Sequence, residues 1–84
     1  MDRIIVKYRG PLTSITGIAE ETFEAGNVED LLFSIRQRYG RKAGKIARAM
    51  LIALNGESIQ LLRRFKTSLK EGDVVSFLPL SSGG

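Results

Sequence analysis

The stretch that decides the fold is Asn27 to Gly40, "NVEDLLFSIRQRYG". Val28, Leu31, Leu32, Ile35 and Tyr39 recur at i, i+3, i+4, i+7 and i+11, the spacing that gathers side chains on one face of an α-helix. Asn27 suits the N-cap, because its side-chain oxygen can accept an otherwise unpaired N–H of the first turn. Glu29 and Asp30 follow where the helix dipole favours negative charge. Gly40 is a suitable residue to end the helix. A helix with a single apolar stripe has one surface to bury, and it needs one apolar sheet face to cover.

Runs on either side supply that face. Arg3 to Tyr8, "RIIVKY", alternates Ile4, Val6 and Tyr8 against Arg3, Ile5 and Lys7 at the period of a strand, and Gly10-Pro11 ends it. A second extended run, rich in Thr and Ile, is expected over Ser14 to Phe23, folded back on the first through the turn at Gly10 to Thr13. Downstream, "MLIALNGESIQL" reads as a strand, an Asn55-Gly56 turn and a shorter strand; Asn-Gly suits a type I′ hairpin because both central residues need positive φ. After a loop around Arg63 and Arg64, "TSLKEGDVVSFLP" carries a turn at Gly72 and a last strand from Val74 to Leu78, closed by Pro79. The order strand, strand, helix, strand, short strand, strand predicts an α+β fold with one main helix packed across one sheet. On the last strand Val75 and Phe77 face the core. Val74, Ser76 and Leu78 face the wetter side, which leaves Leu78 as an exposed apolar residue just before Pro79.

Composition narrows the function. The 84 residues suffice for one domain, expected over residues 1–80, with 81–84 as a flexible tail. The chain has no Cys and no His, which removes thiolate nucleophiles, imidazole acid–base chemistry and the usual zinc ligand sets. No bound metal or cofactor is expected, and a chain this short has little room for a substrate pocket, so a free-standing enzyme is not expected either. The longest apolar run, Ala49 to Leu54, is far short of the roughly 20 residues of a membrane helix. With no secretion-like leader in "MDRIIVKYRG", the expected location is the cytoplasm and no membrane partner is expected.

The net charge of +4 is local. Arg36, Arg38, Arg41, Lys42, Lys45 and Arg48 form a run without an acid, and the rest of the chain has seven bases against nine acids. Such a run is either a solvated face or a surface for an acidic partner, with Arg41, Lys42 and Lys45 as the candidate contacts; nucleic acid ranks behind both. Within it, "GRKAGK" (Gly40 to Lys45) has the outline of a phosphate-binding loop, but with one residue too few between the glycines and Ile46 in place of the hydroxyl residue.

The element order, "ALNGESI", and the spaced set Leu69, Gly72-Asp73, Phe77, Pro79 and Gly83-Gly84 within "SLKEGDVVSFLPLSSGG" together resemble the ubiquitin-like β-grasp sulfur carriers, most of all the small subunit of molybdopterin synthase. The resemblance spans essentially the whole chain and implies a mixed sheet. It implies that the Gly84 carboxylate is the reactive group, adenylated with ATP by a ubiquitin-activating-type partner enzyme, converted to a thiocarboxylate with a sulfur donor enzyme, and used to pass sulfur to a pterin precursor in the large synthase subunit. Gly83, Ser82 and Ser81 would thread the partner's channel, where glycine allows close backbone approach. Leu78, Pro79 and Leu80 would contact the partner's surface. The chemistry fits: a free α-carboxylate, with a pKa of roughly 3.5, is ionised at neutral pH, and a chain without Cys has no side chain to carry exchangeable sulfur. A thiamine-pathway sulfur carrier and a ubiquitin-like protein modifier share the fold and the tail; a small basic nucleic-acid-binding module is the reading of another class.

Overall fold

A computed structural model describes residues 2–80. Its central helix forms as the stripe predicts. The Asn27 side chain accepts the Asp30 N–H at 2.8 Å, and α2 (Val28–Tyr39) buries Val28, Leu31, Leu32 and Ile35. Gly40, at φ 102°, ends it by donating its N–H to the Arg36 carbonyl at 2.8 Å.

Beneath α2 lies a five-stranded sheet. Its strands are β1 (Arg3–Tyr8), β2 (Glu20–Glu24), β3 (Leu51–Leu54), β4 (Glu57–Ser58) and β5 (Val74–Leu78), in the order β2-β1-β5-β3-β4. β1 and β5 run parallel, and every other pair is antiparallel, so the sheet is mixed. Register puts Val6 beside Val75, and Tyr8 beside Phe77, with Ile52 on the far side of Phe77. All of these face α2 and are buried. The fold is the α+β arrangement expected, with β5 in the centre.

Two elements differ from expectation. The segment read as extended from Ser14 begins instead within α1 (Pro11–Thr16), and only Glu20–Glu24 is strand. Pro11 at the helix start has its φ preset and no N–H to satisfy, Gly17 at φ 78° ends the helix, and Thr16 turns its hydroxyl back to the Leu12 carbonyl. The antiparallel return of β2 on β1 stands, but through a helix in place of a tight turn. The part of the basic run from Arg41 onward also forms a helix, α3 (Arg41–Ala49), which buries Ala43 and Ala47. The sheet is therefore covered by two helices packed side by side, not one. They approach closely at Gly44, where a β-carbon would sit 2.9 Å from the Arg36 Cβ. The loop around Arg63 and Arg64 contains two 3₁₀ turns, Ile59–Leu61 and Arg64–Lys66.

One carboxylate ties the layers together. Glu21 on β2 accepts hydrogen bonds from the hydroxyls of Tyr8 (2.5 Å) and Tyr39 (2.7 Å) and pairs with Arg38 at 2.7 Å. The two rings meet edge to face, with centroids 6.4 Å apart. Burial first, then the hydrogen bond and negative charge of Glu21, push both phenols above the ordinary tyrosine range.

Both phenols hold their protons in the folded protein at pH values where an unfolded tyrosine, with a pKa near about 10, ionises. Their contribution is therefore complete below about pH 10 and declines as pH rises past it. Urea midpoints measured from pH 8 to 11 should fall more steeply for the wild type than for Tyr8→Phe, which is itself less stable at neutral pH by about 1.5–3 kcal/mol because it loses a hydrogen bond to a charged carboxylate. Gly44→Ala should destabilise by about 1 kcal/mol: forcing α2 and α3 apart outweighs the gain in helix propensity. A rise in its urea midpoint would show that the helices can separate without loss.

Candidate functional site

The last strand positions the candidate site. β5 is held at its start by Asn55, which sits with Gly56 in the positive-φ turn predicted for Asn-Gly. The Asn55 amide donates to Asp73 Oδ1 at 3.0 Å, and its carbonyl oxygen accepts the Val74 N–H at 2.9 Å. At the other end, the Arg9 N–H donates to the Phe77 carbonyl at 3.1 Å. Gly10, at φ 61°, lies against Pro79, whose Cβ and Cγ would be 3.3 Å from any β-carbon placed there. This contact fixes where the chain leaves the sheet. The left-handed backbone of Gly10 and its close approach to Pro79 both favour glycine.

Leu78, Pro79 and Leu80 come together at this exit. Leu78 points away from the helices, as predicted, but it is half-buried and not exposed, because Leu51 stands directly opposite it across the β3–β5 pair. Pro79 is exposed, and Leu80 is 64% exposed at the edge of a cleft of about 230 Å³ lined by Met50, Leu51, Ile59 and Phe65. The same open sheet face continues through Ala53 and Ser76 to Val74 and Ile5. The alternation along β5 already put Val74 on the wetter side, and that along β1 set Ile5 with Arg3 and Lys7. The register sets Leu51 beside Leu78 next to Pro79 and Ile5 beside Val74 at the far end of the face, with Ser76 and Lys7 between the two apolar pairs. Ser81, Ser82, Gly83 and Gly84, the remaining predicted site residues, lie outside the described residues.

The basic run is divided. Arg38 pairs with Glu21, and Arg48 pairs with Glu29 at 3.0 Å while lying over the Phe65 ring. Arg36, Arg41, Lys42 and Lys45 are exposed and have no acidic partner within 4 Å among the described residues. Gly40 and Gly44 belong to helix geometry and not to a phosphate-binding loop. Among the described residues, no helix is long and apolar enough to cross a membrane.

A family model described as the ThiS family matches residues 6–84, nearly the whole sequence. The chain belongs to the ThiS family. It is thus one of the ubiquitin-like β-grasp sulfur carriers that its terminal motif resembles. Among ThiS-family relatives, the molybdopterin synthase sulfur carrier subunit of Chlamydomonas reinhardtii is 33% identical over 85 residues, covering 98% of this chain and 99% of the algal one. Among solved structures, small archaeal modifier protein 1 of Methanosarcina acetivorans is 27% identical with a TM-score of 0.85, covering 100% of this chain and 98% of that one. A chain in the complex of subunits 1 and 2 of the Helicobacter pylori molybdopterin-converting factor is 25% identical with a TM-score of 0.69, covering 98% of this chain and 99% of that one.

The face assignment on β5 is testable in the isolated protein. Leu78→Asp should cost about 1 kcal/mol, because a half-buried leucine forfeits only part of its transfer free energy. Phe77→Asp should unfold the domain by burying an unpaired charge. Thermal melts that rank the two the other way would invert the face assignment.

Proposed function

We propose that the chain carries sulfur on its Gly84 carboxylate as the small subunit of a molybdopterin synthase. The observation that carries this reading is the end-to-end match to the algal sulfur carrier subunit. The geometry is consistent with it: a rigid body ends in Pro79 and Leu80 beside an open apolar face, so a docked partner would receive whatever follows. Six residues from Pro79 to Gly84 can reach about 20 Å when extended, enough to cross a shell of protein.

In this reading the ionised carboxylate attacks the α-phosphate of ATP in a partner adenylating enzyme, forming an acyl-adenylate and releasing pyrophosphate. A sulfur nucleophile from a sulfur donor enzyme displaces AMP and leaves a thiocarboxylate. The carrier then docks on the large synthase subunit, as subunit 1 meets subunit 2 in the Helicobacter complex, its sulfur bonds to a pterin precursor, and water cleaves the acyl C–S bond to restore the Gly84 carboxylate. Leu78 and Leu80 supply the apolar contact. ATP is bound by the partner, the carrier holds no cofactor and is not itself an enzyme, and the cycle runs in the cytoplasm. A second reading, conjugation to lysines as a protein modifier, is favoured by the likeness to the archaeal modifier protein.

Deleting Gly84 should abolish adenylation by the cognate activating enzyme and leave the melting temperature unchanged. Full activity in the truncated protein would remove the carboxylate from the mechanism. Intact mass of the protein from its native host separates the readings: one oxygen replaced by sulfur supports the carrier, whereas adducts on other proteins' lysines support the modifier. A deletion strain that needs thiamine but keeps its molybdoenzymes would move the carrier to the thiamine pathway.

A further inference from the structure

Phe33 is 55% exposed on α2, although the helix buries the residues around it. It lines a cleft of about 330 Å³ between α2 and α3, together with Leu32, Arg36, Arg41, Gly44 and Lys45. Gly44 makes the cleft floor: with no β-carbon there, α3 lies against the Arg36 stem, and backbone takes the place of a side chain. The Glu29–Arg48 pair also borders the cleft. The exposed cations Arg36, Arg41 and Lys45 line it as well. The site is therefore an apolar slot with an aromatic wall and a cationic rim, on the helical layer, across the molecule from the open sheet face that carries Leu78.

We propose that this slot docks an acidic segment of a partner protein, which inserts one apolar side chain beside Phe33 while its carboxylates meet Arg36, Arg41 and Lys45. Charge sets the class of partner: the rim cations have no acid of their own chain within 4 Å among the described residues, and complementary charge steers association. The apolar slot sets the form of the segment, because a buried apolar or aromatic anchor supplies most of the affinity at such a site. A nucleic-acid strand fits less well. It would need a longer run of cations and several stacking aromatics, whereas this slot has one exposed ring. Because the slot and the open sheet face lie on opposite layers, one partner can hold the helical side while another engages the exit at Pro79. The inference does not rest on the chemistry at Gly84.

The test uses the full chain, isotope-labelled for NMR, and three probes: a fluorescein-labelled peptide of alternating Glu and Asp with a central Leu, the same peptide with Gly in place of Leu, and a uridine oligonucleotide of equal length. The Leu peptide should shift amide signals of residues 32–36 and 41–45 and leave those of β5 unmoved. Its affinity should fall about tenfold in Arg41→Glu/Lys45→Glu, with a strong salt dependence, and about fivefold in Phe33→Ser. Phe33, Arg41 and Lys45 are exposed and outside the ion pairs, so these variants should melt like the wild type. Leu78→Asp should bind the peptide normally. Equal binding of the Gly peptide, no effect of the double reversal, or tighter binding of the oligonucleotide through the same residues would each overturn the proposal. So would salt-sensitive dimerisation of the protein alone that is lost in the double reversal, since the slot would then serve a second copy.

Discussion

The structure depends on the burial of one strand. β5 lies between β1 and β3, and its Val75 and Phe77 are wholly enclosed by neighbours on both sides and by α2 above. Removing them from water contributes several kcal/mol at the usual value of about 1.5–3 kcal/mol per large apolar side chain, a large share of the net stability of so small a domain. Because a strand alternates its faces, burying these two residues obliges Val74, Ser76 and Leu78 to point the other way. The core and the candidate docking face are thus two sides of one requirement. The apolar surface at the exit is a consequence of how the core is built and is positioned as rigidly as the core itself.

The polar side of the fold is equally constrained. Tyr8 is fully buried, and its hydroxyl must find a partner; Glu21 supplies it, then uses its remaining capacity on Tyr39 and Arg38. Hydrogen bonds to a charged group contribute about 1.5–3 kcal/mol each, and here they join β1, the outer strand β2 and the end of α2. The Arg38 guanidinium also lies over the Phe23 ring, 4.4 Å from its centroid. Two of the six cations in the Arg36–Arg48 run are therefore structural, and the remainder are available to other molecules.

What could be read in the sequence follows from how local each signal is. α2 was legible from its cap, its stripe and its glycine stop, and β1, β5 and the Asn55-Gly56 hairpin from period two and turn chemistry. α1 was not, because Thr and Ile favour strands by propensity, and the competing information, Pro11 at the first helical position and Gly17 after the last, is brief in a helix of six residues. α3 was hidden by its own charge: its stripe is made of Ala43, Ile46 and Ala47, too small to stand out among four cations. The slot at Phe33 could not be read at all without α3. Of the candidate site, the half at β5 was visible as alternation, but the contribution of Leu51 and the hold of Gly10 on Pro79 depend on pairings between distant segments.

The central position of β5 also has a temporal side. Every other strand is synthesised before it, yet β1 and β3 flank a gap until it arrives, so a nascent chain that ends early has an open sheet with two unsatisfied inner edges. The parallel pairing of the first strand with the last spans almost the whole described chain, a long-range contact of the kind that slows folding and makes it all-or-none. A ribosome product lacking the end of the sequence would therefore be recognisable to the cell's proteases as unfolded. The same strand that completes the core leads directly into Pro79 and Leu80, so only chains that have folded hold that exit in place.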